Sequence, residues 1–489
     1  MGRKSSEKSN KKRQNGALKQ QEKEIFAECE KLFQGNISLN KNQLWSNYQE
    51  ISTILEKIKK LEVCKSDSSD VPEREDVIEE FVDWLHKNEV NTDGVSIHKF
   101  PDYGLGLKAN SDLNENDLIL KIPRKLIFNV STAAAELKDL EDDILIKHMP
   151  YVALAIALLI EKYKSTSLWK PYLNILPKKY CTVLYMSIDD MMELKESPAL
   201  GNISNRHTTR EPALKQCRNI ARQYSYFKKL FHNSKNSVSK LLADVFTYEE
   251  YRWAVSSIMT RQNVIPSENQ STMVHSLIPM WDMCNHSEGK ITTNFNEISN
   301  CCECYAMKSF KKDDQIFIYY GSRTNTEFFV HSGFVYPDNA NDSYELHLGI
   351  GSSDKLRSEK VELLSKIGLP VSNQFPLKPE PNLLTGALLG FLRVFNMTKD
   401  NLDFWLKSDT KLDIVKKDFS SDDVLDKSVL NFIMTRIKLL LTKYRTLEED
   451  KIQALTASED CRKLVLQMKF SEKKLLNRVL SSLESYSKV

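Results

Sequence analysis

The chain has 489 residues, 41% hydrophobic and 28% charged, with only 15 Gly and 15 Pro. It can bury a sizeable core, and this composition excludes a disordered or collagen-like polymer. Its 69 basic and 66 acidic residues leave a net charge of +3, which argues against dedicated nucleic-acid binding.

The longest apolar run, Tyr151–Ile160, is well short of the about 20 residues that cross a bilayer. No apolar leader follows Met1, so an intracellular protein with no membrane anchor is expected. The nine Cys are scattered and odd in number, as suits reduced thiols in the cytoplasm or the nucleus.

The positive charge is concentrated in residues 1–17, which read as a basic, disordered tail. Residues 18–93 read as helical. Ile25, Phe26, Cys29 and Phe33 recur at helical spacing, and so do Trp45, Tyr48, Ile51, Leu55 and Ile58. Lys65–Val71 is a polar break, and Glu75–Asn88 returns to a helical pattern with Val77, Phe81, Trp84 and Leu85 on one face.

In residues 94–130 the period changes. Val95–Phe100, Gly106–Ala109 and Leu118–Ile122 predict a small antiparallel sheet. Residues 131–257 are helical again, with Leu214, Cys217, Ala221, Tyr224 and Leu230 along one stripe. Thr247-x-x-Glu250 forms a capping box that opens the helix of Trp253, Val255 and Ile258. Residues 258–345 bring back short strands at Ile291–Phe295, Cys304–Met307 and Gln315–Tyr319. Residues 346–489 read as helices, with buried stripes at Leu430, Ile433, Ile437, Leu440, Tyr444 and at Leu475, Val479, Leu480, Leu483. The predicted class is α+β, a β-rich core split by a helical insertion and followed by an all-helical domain.

No GxxxxGK[ST], HExxH or GxSxG motif is present. Cys301-Cys302-x-Cys304 has no nearby partner pair, so it reads as thiols in a strand and no metal site is expected. Three segments stand out: Tyr103-Gly104-Leu105-Gly106, Ile278-Pro279-Met280-Trp281-Asp282-Met283-Cys284-Asn285-His286-Ser287, and Ile316–Arg323, which ends a strand in Tyr320-Gly321. Taken singly, a hairpin turn, a buried hydrogen-bonded His and a packed Tyr explain each equally well.

Together and in this order the three resemble the SET-domain methyltransferases. The helical insertion and C-terminal helices resemble the subclass that includes Rubisco large-subunit methyltransferase. Within it, Tyr248–Pro266, Ala221-Arg222-Gln223-Tyr224 and Leu277–Ser287 are similar to the actin-specific histidine N-methyltransferases. The resemblance implies a knotted β-rich SET core, S-adenosylmethionine as cofactor, a C-terminal substrate-binding domain and actin as protein substrate.

It also implies roles by position. Arg74 would take the cofactor's carboxylate. Tyr103, Gly104, Leu105, Arg261, Asp282, Met283, Cys284, Asn285, His286, Ser332, Gly333 and Phe334 would complete that pocket. Tyr320 would sit where the methyl group passes, and Asn263 would orient the acceptor ring. Gln223, Trp281 and Arg323 would border the peptide. Tyr151 stands where the family pattern has Asn, and Tyr103 and Leu105 also depart from it.

A histidine acceptor needs no strong base. Its pKa of about 6.5 leaves the ring mostly neutral at pH 7, so the task is to present the unprotonated tele nitrogen in line. A lysine acceptor, with a pKa of about 10.4, must first lose a proton. A lysine methyltransferase of a non-histone protein and a degenerate SET-fold scaffold are the alternatives.

Overall fold

The computed structural model describes residues 2–33, 41–62, 72–195, 197–201, 212–379, 383–444, 448 and 460–486. The polar break expected at Lys65–Val71 lies outside them. Two units can be distinguished: Met1–Leu184 with Gln216–Ser322, and Tyr185–Lys215 with Arg323–Val489.

The first unit opens with helices α1 (Gly2–Phe33) and α2 (Lys41–Glu62). Helix α1 extends through the segment expected to be a disordered tail. Lys, Arg, Gln and Glu are good helix formers, and extending an existing helix avoids a new nucleation step. Ile25, Cys29 and Leu32 are buried, whereas Phe33 faces outward. The end of α2 is pinned by Glu62, a buried carboxylate that accepts hydrogen bonds from the Tyr224 hydroxyl (2.7 Å) and the Tyr248 N–H (2.9 Å). Helix α3 (Ile78–Lys87) buries Phe81 and Leu85.

The strands of this unit are β1 (Val95–Phe100), β2 (Gly104–Ala109), β3 (Leu118–Pro123), β4 (Phe128–Asn129), β5 (Asn263–Pro266), β6 (Met273–Leu277), β7 (Asn285–His286), β8 (Thr293–Asn296), β9 (Cys301–Tyr305) and β10 (Gln315–Ile318). They form three small sheets: β1-β2-β10-β7, β3-β9-β8 and β4-β6-β5. β3 does not join β1 and β2 as expected. It pairs antiparallel with β9, from Leu118 opposite Tyr305 to Pro123 opposite Cys301, far along the chain. β10 lies between β2, to which it is antiparallel, and β7, to which it is parallel. The chain leaves β7, builds β8 and β9, and returns alongside the strand it left.

The insertion contributes helices α4 (Pro150–Tyr163), α5 (Lys170–Ile175), α6 (Ala213–Asn233) and α7 (Tyr248–Arg261). α4 is buried from Val152 to Glu161 and packs on α7. The Thr247 hydroxyl caps α7 by accepting from the Glu250 N–H (3.2 Å). The reciprocal half of the expected box is not made, because the Glu250 carboxylate pairs with Lys162 at 2.7 Å instead.

In the second unit, the insertion segment Tyr185–Lys215 clusters with the C-terminal region rather than with the rest of the insertion. The C-terminal region is helical, as expected, apart from strand β12 (Ser372–Leu377) and the strand it pairs with antiparallel, β11 (Tyr344–Gly349), most of which also falls in the region expected to be helical. Only Phe375 and Leu377 of β12 are buried, with Pro376 exposed between them. The alternation is too short to read as a strand, and the proline, lacking an N–H, suits an edge. Helix α8 (Val424–Leu441) and the turn after it bury Leu430, Ile433, Ile437, Leu440 and Tyr444. Helix α9 (Asp460–Tyr486) buries Leu475, Val479 and Leu483, with Leu480 packed at the margin. Arg393 and Asp426 form a buried bidentate pair, both contacts at 2.7 Å.

Candidate active site

The three singled-out segments meet on the β1-β2-β10-β7 sheet. Asn285 and His286 lie in register with Phe317 and Ile318. The β1–β2 turn brings Gly104 (φ +66°) and Gly106 against them. A Cβ on Gly106 would stand 2.7 Å from Gln315 Nε2 and 2.9 Å from Asn285 Nδ2, so any side chain there would have to displace these two amides. The Asn285 amide donates to the Leu105 carbonyl at 3.3 Å and ties the glycine loop to β7. Tyr103 is 45% exposed, with its ring edge-on to Phe317.

Tyr320 lies just beyond β10, after Tyr319. Its backbone N–H donates to His286 Nδ1 at 3.2 Å, which places the imidazole proton on Nε2. Its hydroxyl donates to the Cys284 carbonyl at 2.6 Å, and the His286 and Tyr320 rings lie 5.2 Å apart. Tyr320 is thus held at both its backbone and its phenol end by the Cys284–His286 segment.

That segment is reached through a strained turn. Met280 has φ +67° and ψ −47°, and the Trp281 N–H donates to the Pro279 carbonyl at 2.8 Å, which makes a γ-turn. Such a backbone costs on the order of 1–3 kcal/mol and persists only where its surroundings enforce it. Met280 and Trp281 are buried. The 3₁₀ turn Trp281–Met283 then delivers Cys284 and Asn285.

Behind this turn is a buried charged cluster. Arg261, the last residue of α7, donates from Nη1 to the Asp282 carbonyl at 2.6 Å and lies 3.5 Å from the Asp282 carboxylate. The Tyr172 hydroxyl donates to Asp282 Oδ2 at 2.6 Å. Burial raises the Asp282 pKa, with Arg261 and Tyr172 opposing that rise. Burial works against the Arg261 charge too, but Asp282, Tyr180 and Tyr172 outweigh it and raise its pKa. Arg74 donates from Nε to the Ile175 carbonyl at 2.7 Å, while Nη2 lies 3.9 Å from Met283 Sδ. Burial, with Arg261 nearby, lowers its pKa to about 10. Arg261 is the guanidinium paired with the Asp282 carboxylate, while Arg74 feels the charges of Asp282 and Glu75. Asp282 Oδ1 and Arg261 Nε are buried without a hydrogen-bond partner among the described residues. This donor set fits a ligand carrying a carboxylate.

The residues expected on the acceptor side are dispersed. Asn263 opens β5 opposite Ser276, so it is no left-handed helix cap; Gln262 ends α7 in extended geometry. One Asn263 N–H donates to the Arg261 carbonyl at 3.2 Å. Gln223 is buried. Its Oε1 accepts from the Tyr251 hydroxyl at 2.9 Å, and its Nε2 donates to the Tyr151 hydroxyl at 3.2 Å. Tyr151 is therefore part of an internal network with Gln223. Arg323, Ser332, Gly333 and Phe334 belong to the second unit. There, a π-turn over Phe328–Ser332 ends at left-handed Gly333 (φ +73°), Phe334 stacks on Phe328 at 4.7 Å, and the Arg323 guanidinium lies 6.0 Å from the same ring. No cluster of His, Cys, Asp or Glu that could hold a metal occurs among the described residues. Sequence reasoning missed Tyr172 and the Ile175 carbonyl; a Tyr and a backbone group in a six-residue helix leave no periodic signal.

Comparison with known proteins agrees with this arrangement. The SET domain family matches residues 104–321, and the Rubisco LSMT substrate-binding family matches residues 351–476. Actin-histidine N-methyltransferases of Papio anubis and Homo sapiens are each 36% identical over 90% of this chain and 73% of their own length. The Xenopus tropicalis protein of that name is 35% identical over 99% of this chain and 83% of its own. Rubisco LSMT bound to sinefungin and monomethyllysine superposes with a TM-score of 0.62 at 22% identity, covering 84% of this chain and 92% of that one. That likeness establishes the fold, which is the expected SET fold. With identity above 30% across most of both chains, the protein belongs to the actin-histidine N-methyltransferase family of SET-domain proteins.

Proposed function

We propose that the protein transfers a methyl group from S-adenosylmethionine to the tele nitrogen of a histidine in actin. The observation that carries this reading is the 36% identity to actin-histidine N-methyltransferases along 90% of the chain. The joined glycine loop, Asn285-His286 and Tyr320 supply local support.

When bound, the cofactor supplies an activated methyl group on a sulfonium. Arg74 would receive its carboxylate, with Arg261 and Asp282 setting the surrounding charge. Residues 103–105 and 283–286 would line it. Tyr320, fixed by Cys284 and His286, would hold a constant ring position at the transfer point, where orientation supplies much of the rate. Asn263 Oδ1 makes no hydrogen bond within the described residues. It is suited to accept from the Nδ1–H of the acceptor imidazole, leaving the lone pair on Nε2. Trp281 would border the peptide. Gln223 would act on it through Tyr151.

The test compares actin-derived peptides carrying His or Lys at the acceptor position. Wild type should prefer His. Asn263→Ala should lose about tenfold in histidine turnover, equivalent to about 1.4 kcal/mol, with cofactor affinity unchanged. A preference for Lys would favour a lysine methyltransferase instead.

A further inference from the structure

We infer that the short helix α5 sets the carboxylate-recognising cluster, and that Tyr172 is a positioning residue acting on the cofactor's amino-acid end through Asp282. The inference rests on the cofactor reading above. α5 ties down both sides of the cluster from one turn. The Ile175 carbonyl, an orphan acceptor at the helix end, takes the Arg74 Nε–H at 2.7 Å. Three residues earlier, the Tyr172 hydroxyl donates to Asp282 Oδ2 at 2.6 Å.

Tyr172 cannot itself meet a ligand. It is fully buried, its ring lies 6.3 Å from those of both Phe81 and Trp169, and its hydroxyl is committed to Asp282. Its effect must pass through the carboxylate. Asp282 Oδ1 has no hydrogen-bond partner among the described residues, so the orientation of the carboxylate depends on Tyr172 and Arg261. Arg74 is close enough to act electrostatically on Asp282. A carboxylate released from Tyr172 would be free to turn toward Arg74 and neutralise the charge meant for the ligand. The hydroxyl therefore keeps Asp282 paired with Arg261 and leaves Arg74 to an incoming anion.

The experiment is calorimetric titration with two ligands. S-adenosylhomocysteine carries the amino-acid end; 5′-methylthioadenosine lacks it. Tyr172→Phe should weaken S-adenosylhomocysteine about tenfold and leave methylthioadenosine unchanged. In an Asp282→Asn background the same substitution should add nothing further. Equal weakening of both ligands, or a fully additive loss, would mean a merely structural role and overturn the inference. If Tyr172→Phe does not fold, Asp282→Asn alone must leave S-adenosylhomocysteine no weaker relative to methylthioadenosine than in wild type, because no carboxylate remains to neutralise Arg74, and a selective loss overturns the inference. Wild-type protein that binds neither ligand would remove the cofactor reading and this inference with it. Binding of both ligands by wild type without selectivity in the variants would remove the inference alone.

Discussion

Two buried carboxylates, one in each unit, show how partner chemistry decides what burial does. Asp282 in the first unit has a guanidinium 3.5 Å away and one tyrosine hydroxyl. Glu472 in the second has two hydroxyl donors, Ser197 and Tyr444. Burial pushes both carboxyls up. For Glu472, 3% exposed, it reaches about 7, with Ser197 and Tyr444 opposing, Asp342 adding to the rise and Lys469 drawing it back. A hydroxyl stabilises a carboxylate without cancelling its charge, whereas a guanidinium supplies the opposite charge, although burial still prevails at both sites. The first arrangement sets a carboxylate against a guanidinium where a charged ligand is to bind. The second fastens the insertion segment at Ser197 to helix α9 with a group that titrates near neutrality.

Exchanging these environments should have the largest effect. Arg261→Met leaves Asp282 buried without its cation and should cost roughly 3–5 kcal/mol of stability at pH 8. Asp282 would then behave as Glu472 does. Its folded pKa would rise further above the unfolded value, so the loss should shrink as pH falls. Urea titrations at pH 6 and pH 8 measure this, and a pH-independent loss would break the comparison.

Glu472 itself gives a somewhat smaller effect. Its folded pKa lies above its ordinary value of 4.5, so the native state binds the proton more tightly than the unfolded chain. That stabilising contribution is complete below about pH 4.5 and is lost as pH rises through about 7. It amounts to about 3 kcal/mol in total. Glu472→Gln should remove this pH dependence, so the stability of the variant relative to wild type should rise between pH 5 and pH 8. A constant difference between the two proteins would contradict the assignment.

Removing one hydroxyl at Glu472 is the mildest change. Ser197→Ala should cost about 1 kcal/mol above neutrality and less in acid, because the lost donor favoured the ionised form. Denaturant midpoints at two pH values measure it.

The contrast also shows what could be read from sequence. The glycine loop, Asn285-His286 and Tyr320-Gly321 were legible because each is a short contiguous signal, and the amphipathic stripes of α8 and α9 because their period is local. The pairing of β3 with β9 was not, since it joins residues far apart along the chain and strand character does not name a partner. β12 was hidden by an alternation of three residues. The helicity of the basic N-terminal segment was missed because solvated charge reads alike in a tail and on a helix. Arg261 and Asp282 were placed in the pocket by family position, but Tyr172, which orients the carboxylate, became visible only when α5 and the turn after Met280 were seen together.

The central claim is the methylation of an actin histidine by this fold. Its most direct test is mass spectrometry of actin incubated with the purified protein and isotopically labelled S-adenosylmethionine. The account predicts one labelled methyl group on the tele nitrogen of a single histidine, absent when Asn285→Ala and Arg74→Ala are combined. Label on lysine, or unmodified actin from protein shown to bind the cofactor, would contradict it.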